Sequence, residues 1–157
     1  MALEARRRIM IEHGRSSART PTFAWWTRGP AEVGGSVLVS VTDFHLQHTG
    51  DLLRVYLAGL RLSRAWGSMS GAVGMWLWTK PLCKRSGSVS VWRSEEDLCR
   101  FVRWPRHLEL MRAYRDAGEL TSTTWREARF EATGIWARAA AQLSGVDREL
   151  ADREGQA

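Results

Sequence analysis

Ser88 to His107 reads SVSVWRSEEDLCRFVRWPRH, and it passes from a strand through a capped helix to a second helix start without a linker. Ser88, Ser90 and Trp92 alternate with Val89 and Val91, the period of two of a half-buried strand. Ser94 precedes Asp97 by three residues, with Leu98, Phe101 and Val102 close behind. That is the form of a helix N-cap, whose hydroxyl satisfies a backbone N–H that the first turn leaves without a partner. Pro105 suits the first turn of a new helix, where its missing N–H costs nothing. His107 then falls in that same turn, beside Arg103 and Trp104.

The segments on either side fix the order of elements. SVLVSVTDF, after Gly34 and Gly35, alternates as a first strand. DLLRVYLAGLRLSRAW, from Asp51, predicts a helix with Leu53, Leu57 and Leu60 on one side and Tyr56 adjoining. GAVGMWLW, Gly71 to Trp78, predicts a second strand with Val73, Met75 and Leu77 on one face and Gly74, Trp76 and Trp78 on the other. PLCKRSG is a connection of hairpin type into the Ser88 strand. HLELMRAYRDAG aligns Leu108, Met111 and Tyr114 on one helix face, with Gly118 as a stop. TSTTWREARF predicts a fourth strand and ATGIWARAAAQL a last helix, while SGVDRELADREGQA is expected to fray.

Strand, helix, strand, strand, helix, strand, helix is the order of an α+β, ferredoxin-like antiparallel sheet with helices on one face. Whichever parity points away from the helices carries large apolar groups, Trp76 and Trp78 or Met75 and Leu77. Such a face cannot be left wet, so two subunits packed sheet to sheet, a homodimer, are expected. Residues 1–30 are expected to form a mobile basic arm, 31–145 the domain and 146–157 a charged tail. Phe23, Trp25 and Trp26 are the exception within the arm, a patch expected to dock on the domain or on a partner subunit.

The 157 residues suffice for one domain with a substantial core. No apolar run is long enough to span a bilayer, and MALEARRRIMIE lacks the continuous apolar segment of a secretory signal, so a cytoplasmic home is expected. Cys83 and Cys99 have neither CxxC spacing nor clustered histidines beside them and read as free thiols. A net charge of +6 raises the question of nucleic acid. The arginines are nonetheless spread along the chain and often lie beside Glu or Asp, the pattern of solvated helix faces, so no nucleic-acid partner is expected. His45-x-x-His48, with only Asp43 and Asp51 nearby, reads as a loop before a helix and not as a metal site. There is no nucleotide-binding glycine motif and no GxSxG.

GAVGMWLW, SVSVWRSEEDLCRFV followed by PRHLELMRAYR, and TSTTWREARF together resemble the dimeric α+β barrel superfamily, in particular its antibiotic biosynthesis monooxygenase and spheroidene monooxygenase-like branch. The resemblance covers roughly Val37 to Leu143. It implies oxygenases that need no cofactor, haem-binding and haem-degrading proteins, and members without activity. The haem-degrading members carry a Trp and a haem-ligating His about ten residues apart on the second helix. Here Phe101 and Met111 stand at those places, and His107 lies one turn before Met111.

His107 is the leading catalytic candidate, because imidazole exchanges a proton near neutral pH or ligates a metal. Its other reading is a surface histidine between Arg106 and Glu109. Arg103 is its partner candidate for holding an anion. Trp76, Trp78, Trp92, Trp104 and Trp125, with Met111, are the candidates to line a cavity for a flat or extended apolar ligand. Each has a core or interface position as its alternative. Ser88, Ser90, Thr121 and Thr123 are candidates for a polar stripe on that cavity. The expected function is a small oxygenase-type enzyme that uses O2 on a hydrophobic aromatic or polyene substrate. No cofactor is expected, with haem ligated by His107 as the alternative, and a non-catalytic binder of a hydrophobic ligand is the reading from another class.

Overall fold

The computed structural model describes residues 21–154, together with the backbone of Arg8 and Ile9. The 1–20 portion of the expected arm otherwise lies outside the described residues. Six strands form one antiparallel sheet: β1 (Arg8–Ile9), β2 (Phe23–Arg28), β3 (Val37–Leu46), β4 (Ala72–Lys80), β5 (Arg85–Trp92) and β6 (Gly118–Glu127). Their order across the sheet is β1-β2-β4-β5-β3-β6. Four α-helices connect or follow them: α1 (Thr49–Ser63), α2 (Glu95–Val102), α3 (Pro105–Tyr114) and α4 (Ala132–Glu154). The central β3-β5-β4 core is the ferredoxin-like arrangement expected.

Side-chain alternation sorts the sheet into two faces. Leu38 of β3, Met75 of β4 and Trp92 of β5 share one, where they pack with Trp66, Leu98 and Phe101. Farther along this face Phe44 and Leu46 meet Leu52 and Val55 of α1 and Tyr114 of α3. So α1, α2 and α3 all lie here. Val37, Val39 and Val41, Trp76 and Trp78, and Val89 and Val91 share the other face, and Ile135, Trp136, Ala139 and Leu143 of α4 pack on them. The expected parity of β4 holds for Met75 and Leu77 against Trp76 and Trp78. Val73 departs from it, because a bulge between Ala72 and Gly74 shifts the register and turns its side chain to the α4 face.

The second face, for which sequence reasoning called on another subunit, is thus covered by α4 of the same chain. This helix runs on through Glu154 into the segment expected to fray. A buried ionic cluster holds its middle turns to the sheet. Arg85, with no exposed surface, donates through Nε to Asp43 Oδ1 at 3.0 Å and through a terminal nitrogen to the Leu143 carbonyl at 3.0 Å, and also pairs with Asp147. Lys80, also buried, pairs with Asp147 as well. Two cations from β4 and β5 and two carboxylates from β3 and α4 balance to zero, which is what lets charges stay out of water.

Phe23–Arg28, which fall within the expected 1–30 arm, instead form a strand of the sheet, and from the aromatic patch Trp26 packs on the core. β2 pairs with β4, and the Trp26 ring lies 4.3 Å from that of Trp76, which in turn lies 5.7 Å from that of Trp136. Gly74 makes this possible, since a side chain there would collide with the Trp26 ring. The Leu53, Leu57 and Leu60 stripe differs from a core-facing reading. Leu52 is the buried leucine of α1, whereas Leu53 is 64% and Leu57 43% exposed.

Arg85→Ala should lower unfolding stability by about 3–5 kcal/mol, the range for breaking a buried ion pair from one side. Chemical denaturation would measure it. A loss under about 1 kcal/mol would show that α4 is held by apolar packing alone.

Candidate active site

The corner between α2 and α3 is built largely as the opening stretch of sequence prescribes. Ser94 caps α2 from an extended backbone, its hydroxyl accepting from the Asp97 N–H at 3.2 Å. Asp97 also anchors Arg100 at 2.9 Å. Trp104 then stands at the N-cap of α3 without a side-chain cap bond, and Pro105 occupies its first turn. The break between helices, at Arg103 and Trp104, places His107 back against the end of α2.

There the imidazole is half-buried, with its ring centroid 4.5 Å from that of Phe101. Phe101 lies 5.2 Å from Trp92 and 5.5 Å from Trp66, and those two indoles meet edge to face at 4.7 Å. His107 Nδ1 is 3.1 Å from the Val102 carbonyl oxygen. A carbonyl can only accept, so Nδ1 carries the proton and Nε2 is left with its lone pair. Nε2 has no partner among the described residues. Burial pushes the imidazole below the ordinary histidine pKa, and the bond to Val102 only partly offsets this. The ring is therefore neutral near pH 7, the state needed of a base.

On the exposed side of α2, an open depression of about 540 Å3 is lined by Glu96, Cys99, Arg100, Arg103, Trp104 and Pro105. Arg103 is exposed and lines it directly. Trp104 lines it too, with the Arg106 guanidinium 5.8 Å from its ring centroid. Met111 is half-buried one turn beyond His107 on α3. Arg103 and Trp104 thus line the depression, whereas His107 packs on Phe101 above Trp92 and is not among the lining residues.

The remaining candidates are elsewhere. Trp76 and Trp78 are buried under α4 on the opposite face. Trp125 lies on that face as well, donating to Glu127 at 2.7 Å under the Arg138 guanidinium. The sheet stands between these three and His107, so the tryptophans do not surround one chamber. Ser88 and Ser90 bond to β3, through Thr42 and the Ser40 carbonyl, whereas Thr121 and Thr123 line a separate cavity of about 240 Å3 beneath α4 with Asp43, Gln142 and Glu149. Trp66 and Arg100 were not singled out from sequence. Trp66 sits in a single 3-10 turn after α1, and no periodicity pointed it toward the corner. No group of metal-ligating side chains occurs among the described residues, and His48 merely opens α1.

No family model and no curated protein matches the sequence. Solved structures do match. A Listeria monocytogenes ferredoxin-fold protein related to antibiotic biosynthesis monooxygenases aligns with a TM-score of 0.52 at 15% identity, covering 76% of this chain and 72% of that one. The fold is ferredoxin-like. A conserved protein of Methanosarcina mazei aligns with a TM-score of 0.52 at 10% identity over 57% of this chain and 90% of its own. SnoaB, a cofactor-independent oxygenase of Streptomyces nogalater, aligns at 0.49 and 16% identity over 62% and 97%. At these identities the likeness is one of fold, and a fold hosts many chemistries.

Haem fits this corner poorly. The inner side of the His107 ring is filled by Phe101, which is itself wedged against the wholly buried Trp92 and Trp66. No step is therefore derived through a porphyrin.

Titration of His107 by proton NMR should place its midpoint below the ordinary histidine value. The unfolded chain then takes up its proton first, so folding stability should fall as pH drops from the ordinary value through the folded one. His107→Gln should remove that part of the acid sensitivity. A midpoint at or above the ordinary value would contradict the buried, neutral ring.

Proposed function

We propose that this protein is an oxygenase-type enzyme that deprotonates a small, apolar aromatic phenol or enol at the α2–α3 corner and lets the resulting anion react with O2. The observation carrying this reading is the His107 imidazole, neutral by burial, with Nδ1 bound to Val102 and Nε2 bare. The monooxygenase-related fold supports it. In this scheme Nε2 takes a proton from an activated C–H or O–H, and the substrate becomes a delocalised anion. That anion passes one electron to O2, and recombination of the two radicals forms a C–O bond to a peroxide. The imidazolium returns its proton to the peroxide, which loses water to leave a carbonyl. Substrate and O2 thus go to ketone or quinone and water, and no other oxidant is needed.

The chain's part is to position and stabilise. Arg103 lies at the depression as a donor fork for the substrate's oxyanion, and the Trp104 ring beside it offers a stacking surface. Arg100 is committed to Asp97 and contributes less. The aromatic floor of Phe101, Trp92 and Trp66 keeps water from the inner side of the imidazole.

Oxygen uptake with a polyphenol should fall by about 10²–10⁴-fold in His107→Ala, the usual contribution of a positioned base. In Arg103→Gln, KM should rise more than kcat falls if the guanidinium binds the anion before reaction. Unchanged uptake in His107→Ala would refute the assignment.

A further inference from the structure

The leucines that α1 turns outward have no role in the fold or in the proposed site. Leu52, at the inner side of the helix, packs with Phe44 and Leu46, with Val55 and Tyr114 alongside, and Gly59 lets the Leu77 side chain approach the helix closely. Leu53 and Leu57 stay 64% and 43% exposed, with Leu60 next to them half-buried. Arg54, Arg61 and Arg64 are exposed on the same outer side, and the Arg54 side chain keeps 75% of its surface in water at 3.7 Å from Asp51. One helix therefore presents an apolar stripe flanked by three cations on a chain of net charge +6.

We infer that the outer face of α1 docks on an anionic lipid surface, with the leucines entering the headgroup boundary and the arginines pairing with phosphates. An apolar stripe with basic flanks is the pattern of a helix lying in a membrane interface, and each cation near such a surface adds attraction that salt weakens. A second copy is a poor occupant, because two α1 faces meeting about a two-fold axis would bring Arg54, Arg61 and Arg64 of both chains together. An acidic helix from another protein needs a groove. The two cavities described lie at the α2–α3 corner and under α4, and neither includes a residue of α1. Three exposed arginines beside the leucines complement the negative charge of an anionic surface. The inference is independent of the proposed chemistry, since it uses no residue of the α2–α3 corner.

Co-sedimentation of the full chain with vesicles tests it. Vesicles of phosphatidylcholine with phosphatidylglycerol should retain the protein, and phosphatidylcholine alone should retain much less. Raising salt should release it. Leu53→Ser with Leu57→Ser should weaken retention at least about tenfold, as losing two inserted leucines requires, while the circular dichroism spectrum and melting curve stay as in the parent because both positions face water. Arg54→Gln with Arg61→Gln should weaken it as well. Equal retention by both vesicle types, or retention unaffected by the leucine substitutions, would overturn the inference. So would light scattering that showed the leucine variant converting a dimer to a monomer, since the face would then be a contact between copies.

Discussion

Arg85 has no exposed surface, and a guanidinium in that position survives only with its charge answered on the spot. Asp43 answers it from β3 and Asp147 from α4, while the Leu143 carbonyl takes a further N–H. The same Asp147 answers Lys80. The cluster is therefore a clamp between sheet and helix, and it specifies more than it stabilises. Apolar packing alone would let α4 slide along the valines of β3 and β5, whereas the ionic contacts admit one register. With α4 in that register Trp136 meets Trp76, and Trp26 completes the row from β2.

That arrangement decides what the tryptophans are for. An excess of indoles can line a chamber or fill a core, and composition does not separate the two. Here Trp66, Trp76, Trp78 and Trp92 are at most 3% exposed and lie against one another or against α4. They are core, divided by the sheet into two sets. The indole N–H groups of Trp66 and Trp78 have no hydrogen-bond partner among the described residues, which is tolerable in a residue whose apolar area dominates its burial. The aromatic set beneath His107 still bears on chemistry, because it sets the dielectric around the imidazole.

Much of the fold could be read from the chain because its signals were local. The Ser94 cap, the Pro105 helix start and the strand parity of β5 each rest on neighbours within a few residues, and the structure shows all three. What escaped was non-local. The bulge at Val73 depends on how β4 pairs with β5. The covering of the second face depends on Asp147, which reads in sequence as one more charge in a charged tail. The Leu53, Leu57 and Leu60 stripe satisfied a helical period and still pointed outward, since Leu52, Val55 and Gly59 supply the inner side of the same helix. At the site, His107 and Arg103 came from the residues themselves. The grouping of Trp76, Trp78 and Trp125 with them did not survive the sheet that separates them.

The two faces end up electrically unlike. Under α4 the charges of Asp43, Arg85, Lys80 and Asp147 answer one another, so these groups hold the fold together. On the other face the His107 ring, at the rim of an apolar cluster, keeps an Nε2 with no partner among the described residues. Its lone pair is free because the chain breaks between α2 and α3, where the Val102 carbonyl is available to hold Nδ1. A continuous helix through Arg103 and Trp104 would have used that carbonyl internally and turned the ring elsewhere. The break at Arg103 and Trp104, with Pro105 opening α3, is thus the feature that sets the tautomer, while burial sets the neutral state.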